Sequence, residues 1–314
     1  MVVPFFVYND ATKGRVDSVR NWLDADPTND VNDATSHGDG LLTAAAHCDD
    51  FARGLELAQL LLERGVDVNQ HQQNRSHTST ALHIACYNCA SDTVQLLLQY
   101  GADVNRMMGG APAIQAHTPL SIALGDIDYF GFAGSLDMLL AKASRTGRSL
   151  ERIRRDAHEV MLVLLRAGAK LGTGGAWGGR SETMLERLIG DEQGDTREVR
   201  LAKVELKHSL ELIRAVRAAG GTWRKYCLVP PKQMLRLRSL MARGRARVKV
   251  RARAKTPRSI EWLFSPNLPN ELCWRVLEYW NPRSGAAHFE GLLRGNPDAQ
   301  REVAAAAGPA PALP

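Results

Sequence analysis

The feature that most constrains this chain is that it repeats itself. Gly65-Val66-Asp67-Val68-Asn69 returns 36 residues later as Gly101-Ala102-Asp103-Val104-Asn105, and a degenerate copy, Asp30-Val31-Asn32, precedes both. Each full copy closes an apolar helical run, first Leu57, Leu60, Leu61 and Leu62, then Val94, Leu96, Leu97 and Leu98. The glycine stands where a helix C-terminus calls for a left-handed residue, and Asp-x-Asn suits the tight turn that follows. A second landmark keeps step. Thr80-Ala81-Leu82-His83-Ile84-Ala85 recurs 38 residues on as Thr118-Pro119-Leu120-Ser121-Ile122-Ala123, and Gly40-Leu41-Leu42-Thr43-Ala44-Ala45 is a looser copy 40 residues earlier. Each unit therefore reads as a short helix and a longer one. Neither can bury its apolar face alone, so the units must stack into one core.

Fainter copies flank these. Val16, Val19, Trp22 and Leu23 make the second helix of a first unit that ends at Asn32. Downstream, Val160 and Leu162 to Leu165 run into Gly168-Ala169, and Leu210, Leu212, Ile213 and Val216 run into Gly220-Gly221. These spacings, about 67 and 52 residues, exceed the usual period of such repeats. Charged helical stretches, Ser149 to His158 and Thr196 to His208, fill the excess. The pattern predicts about five units, the last two with elongated second helices; an extra helix within Gly125 to Ser144 is the alternative.

Taken together, the T-x-L-H-x-A box and the G-x-D-x-N turn resemble the ankyrin repeat. The resemblance implies an all-α solenoid of helix-turn-helix units with projecting finger loops, and a function in protein–protein recognition through the fingers and a concave groove. It also implies that His83 hydrogen-bonds the backbone of neighbouring repeats. Two finger segments are long, Gln70 to Ser79 and Arg106 to His117. The expected partner-binding residues are His71, Gln72, Asn74, Arg75 and His77 on the first; Arg106, Met107, Met108 and His117 on the second; and Tyr87 and Asn88 at the groove. Adjacent methionines make adaptable apolar contacts, although they could instead fold back on the stack.

Composition leaves little room for other classes. Hydrophobic residues are 44% and charged residues 24% of the 314, a globular balance, and aromatics are only 6%, which favours packed helices. No run reaches the roughly 18 to 20 apolar residues of a membrane helix. The first residues lack the basic start of a signal peptide, so the chain is expected to be soluble, monomeric, and cytoplasmic or nuclear. The five cysteines form no disulfide framework. Cys86-Tyr87-Asn88-Cys89 is a lone C-x-x-C without the second pair a structural zinc needs. The glycine-rich run Gly172 to Gly179 follows a helix and lacks the Gly-Lys-Ser/Thr ending of a phosphate loop. No catalytic, metal or cofactor constellation stands out, and no enzyme is expected.

The C-terminal third differs. Lys232 to Arg258 carries most of the excess charge: Arg243, Arg245, Arg247, Lys249, Arg251, Arg253 and Lys255 alternate with small or apolar residues. This is a solvated linker or, as the less favoured reading, a nucleic-acid patch, and no aromatics interleave to stack on bases. Then comes Leu268-Pro269-Asn270-Glu271-Leu272-Cys273-Trp274-Arg275-Val276-Leu277-Glu278-Tyr279-Trp280, whose Leu272, Val276, Tyr279 and Trp280 share one helical face. With Leu268 and Pro269 it resembles the start of an F-box and the tail of a SOCS box. In the SOCS box an upstream helix carries L-x-x-x-C; here Met234, Leu237, Leu240 and Met241 stripe such a helix, and Met241 stands where the cysteine would be. Both resemblances imply docking of a Skp-type or elongin adaptor and a cullin, hence a ubiquitin-ligase substrate receptor. The alternative is a plain scaffold whose C-terminus caps the stack. The expected organisation is repeats over 1–228, a helix and basic linker over 229–262, the docking or capping helix over 263–285, and a tail over 286–314.

Overall fold

The computed structural model describes residues 2–74, 77–108, 117–124, 143–144, 146–171, 180–190 and 196–243. The expectations for Arg75 and for residues 125–142, 172–179, 245–255 and 268–280 lie outside them. The chain divides into two compact units, 1–223 and 224–314.

The first unit is built from helix pairs: α1 (Phe5–Thr12) with α2 (Val16–Ala25), α3 (Leu41–His47) with α4 (Phe51–Glu63), and α5 (Ala81–Asn88) with α6 (Ser91–Gln99). α7 (Pro119–Ala123), α8 (Leu150–Arg166), α9 (Arg180–Gly190) and α10 (Arg197–Ala218) follow, and α11 (Trp223–Ala242) lies almost wholly in the second unit. A short antiparallel hairpin, β1 (Gln72–Asn74) and β2 (His77–Ser79), rises from the loop after α4 with Asn74 opposite His77. This is the all-α stack that the sequence repeat implies.

The first helices are too short to persist alone; α3 has seven residues and α5 eight. Their stability is tertiary. α3 packs on α1, α4 and α5, while α5 packs on α6 and α7. Small residues make this possible: Ala44, Ala45 and Ala46 are buried along α3, and Gly54 of α4 lies so close that a Cβ there would stand 2.7 Å from the Ala45 carbonyl oxygen. Leu57 and Leu61 of α4, Leu82 of α5 and Leu97 of α6 form the core between layers, all fully buried.

α8 and α10 are longer, 17 and 22 residues. Ser149 and Thr196 cap them, each hydroxyl accepting a backbone N–H three residues on. Leu150, Ile153, Ala157, Val160, Met161 and Leu164 form the buried stripe of α8. The added length is stitched by polar contacts. Glu198 accepts the Leu150 N–H at 2.7 Å, His158 meets Ser209 at 2.9 Å, and Arg217 of α10 pairs with Glu182 of α9 at 2.6 Å.

Candidate recognition surface

The turns that close each unit are bonded to one another along the stack. Within each turn the aspartate accepts the asparagine's own N–H: Asp30 from Asn32 and Asp67 from Asn69 at 2.9 Å, and Asp103 from Asn105 at 3.0 Å. That fixes the asparagine side chain pointing onward. Asn32 Oδ1 accepts the Asp67 N–H at 2.7 Å, Asn69 Oδ1 the Asp103 N–H at 2.8 Å, and Asn105 Oδ1 the Lys170 N–H at 3.0 Å. Asn69 and Asn105 also donate to the Gly101 and Gly168 carbonyls. The ladder then passes to backbone alone, Leu171 N–H donating to Gly221 at 3.1 Å. The sequence reading recognised Asp-x-Asn as a turn but not its reach to the next unit; the signal was the return of the asparagine itself in register.

A second set of bonds fixes the finger bases. The Thr80 backbone N–H donates to His83 Nδ1 at 3.2 Å, so Nδ1 carries no proton and Nε2–H donates to the Arg106 carbonyl at 3.0 Å. Burial pushes the His83 pKa down to about 4, against the opposing pull of its bonds to the backbone of Arg106 and His117. His83 thus holds the next finger, as the resemblance implies. The same box recurs at Thr118 and Ser121, where serine replaces the imidazole and its hydroxyl accepts the Thr118 N–H at 3.0 Å.

The expected recognition residues divide into two groups. Asn88 is buried, and its Nδ2 donates to the Ala46 carbonyl at 2.9 Å, joining α5 to α3. Met108 and His117 are buried too, held together by the Met108 N–H donating to the His117 carbonyl at 2.8 Å. All three are thus buried, Asn88 through a bond across the stack and the other two through a bond within the second finger. His71 is half-buried, Arg106 is exposed and Met107 is 56% exposed. Tyr87 is half-buried on α5, and Gln72, Asn74 and His77 lie on the hairpin strands. Arg106 Nη2 donates to His71 Nε2, so residues from two successive fingers meet side by side.

Cys86 and Cys89 are buried at the end of α5, neither of them in a disulfide. Cys89 takes a left-handed backbone, φ 53°, and packs against Ile153 and Ala157 of α8. Nearby, Arg148 pairs with Asp156, donates to the Asn88 carbonyl at 3.2 Å and lies 4.8 Å over the Phe51 ring. One guanidinium thus ties α4, α5 and α8 together, a role no local pattern announced. Arg154 is fully buried on α8, and burial pulls its pKa down to about 10, still charged at neutral pH.

Residues 9–108 match the family model of ankyrin repeats in three copies. No curated protein matches the chain. Among the described residues, no helix is long and apolar enough to cross a membrane.

Proposed function

We propose that this ankyrin-repeat chain holds a partner protein against its fingers and first helices, and presents it to a cullin-type ubiquitin ligase through its C-terminal element. Ankyrin repeats are a protein–protein interaction framework, and the observation that carries the first half is the division of labour at the fingers. Asn69, His83, Asn88 and Asn105 are spent holding backbone, whereas Arg106 and Met107 are exposed on the second finger and His71 is half-buried beside them. We read α7 with α8, and α9 with α10, as fourth and fifth repeats, because the turn bonds run on from Asn105 to Lys170 and from Leu171 to Gly221.

Supporting the second half are the L-P-x-E-L start at Leu268 and the apolar face of Leu272, Val276, Tyr279 and Trp280. The upstream segment with Met234, Leu237, Leu240 and Met241 lies on α11, and Leu237 is 45% exposed there. The departure at Met241 favours a Skp-type adaptor over elongin.

The test is affinity capture from cell extract with the full chain, an Arg106→Glu, Met107→Glu finger variant, and a Leu272→Asp, Val276→Asp variant. The finger variant should lose the partner protein and keep adaptor and cullin, and the C-terminal variant should do the reverse. Capture of adaptor by neither form would reduce the C-terminal element to a cap on a scaffold. Capture of partner unaffected by the finger variant would remove the fingers from recognition.

A further inference from the structure

We infer that His71 and Arg106 together form a receptor for a carboxylate of the partner protein, and that filling it places a proton on His71. The inference rests on the recognition reading above and names the chemistry it takes. Arg106 donates to His71 Nε2, which requires a ring that is unprotonated at that nitrogen. The proton of the neutral ring then sits on Nδ1, which is buried and has no hydrogen-bond partner among the described residues. That donor is unmet whether or not Nε2 is protonated, so the state of the pair turns on Nε2, which in neutral His71 is held by a full cation. Protonated His71 would point Nε2–H at the Arg106 guanidinium, two donors facing each other. An acceptor anion between them satisfies both, and a carboxylate, with two oxygens, fits a guanidinium on one side and an imidazolium on the other.

The charges around the pair set the direction of coupling. His71 is held below the ordinary histidine range first by burial and then by the Arg106 charge, against the opposing Asp67 carboxylate of the same turn. His83 of α5 stands within electrostatic reach of His71, each disfavouring a proton on the other. Asp67 already accepts the Asn69 N–H. An incoming carboxylate opposes the Arg106 contribution at His71, so His71 takes up a proton when the site fills, and binding tightens as pH falls through the His71 midpoint of the filled site. Met107, exposed beside Arg106, offers an apolar contact next to the charge. The partner segment this fits is acidic with a neighbouring apolar residue.

The experiment is histidine-selective nitrogen NMR of the full chain, titrated in pH with and without a saturating hexaglutamate peptide, His71 being assigned by its loss in His71→Gln. The expected result is a His71 midpoint raised by about one unit with peptide, equivalent to about tenfold tighter binding to the protonated form. In Arg106→Gln the shift should shrink by more than half, while the far-ultraviolet circular dichroism stays unchanged and reports that the fold is intact. A His71 midpoint that the peptide leaves unmoved, or moves equally in Arg106→Gln, overturns the inference. So does a midpoint that responds to an oligothymidylate and not to the peptide. If the peptide fails here while the finger variant still loses its partner from extract, the carboxylate receptor falls and recognition by the fingers stands. The opposite pair of results removes recognition and leaves a carboxylate site.

Discussion

Asn105 reaches 65 residues along the chain to Lys170, accepting its N–H at 3.0 Å while donating to the Gly168 carbonyl at 3.2 Å. A single side chain thereby carries the stacking of the regular repeats across a stretch where the repeat period breaks. The turn it reaches has the glycine but neither the aspartate nor the asparagine, so the next rung, Leu171 to Gly221, runs through backbone.

Asn105→Ala should accordingly cost about 1 to 2 kcal/mol, two hydrogen bonds partly replaced by water. Hydrogen exchange at the Lys170 amide should accelerate, with the amides of α3 and α4 unchanged. Equal acceleration throughout would mean that the bond serves the whole stack and not this junction.

The His83 imidazole makes the fold acid-sensitive. Its folded pKa is about 4, against about 6.5 when free, so the unfolded chain binds the extra proton between those values. Its contribution is complete above pH 6.5 and falls away as pH drops through 4, a loss of about 3 kcal/mol. His83→Ser, the residue used at Ser121, should be less stable at pH 7 but should lose less between pH 6.5 and 4. Urea midpoints at both pH values check this; parallel losses in the two proteins would assign the sensitivity elsewhere.

Gly101 has φ +87° and, among the described residues, nothing within 4 Å of where a Cβ would stand. Gly101→Ala therefore isolates backbone strain from crowding and should cost about 1 to 2 kcal/mol. Gly101→Asn should recover part of it, since asparagine tolerates the left-handed region. Thermal melts of the two variants decide; an alanine variant as stable as wild type would show that the turn relaxes.

Asn88→Ala removes the buried donor to Ala46 and leaves an α3 carbonyl near its C-terminus without that partner. The expected loss is about 1 to 3 kcal/mol in chemical denaturation. A change within a few tenths would mean water takes the amide's place.

Much of this was readable in the chain. The glycines at 65, 101, 168 and 220 marked helix ends because a positive φ is a local requirement that few other residues meet. His83 was placed correctly because its bonding partner, Thr80, is three residues away in the same box. The burial of Asn88, Met108 and His117 was not legible; for Asn88, polarity says nothing about a carbonyl 42 residues away that its amide reaches. The side-by-side arrangement of His71 and Arg106 was equally out of reach: the two lie 35 residues apart and meet only because adjacent units stack in register.

The sequence alone determined the unit, its helices and its turns, since these depend on periodicity and on backbone preferences acting over a few residues. Only the tertiary structure decided which polar groups the stack consumes and which it leaves facing outward. That choice depends on the registry between units, where a distance of about 3 Å separates an asparagine that holds the core from one that can hold a partner.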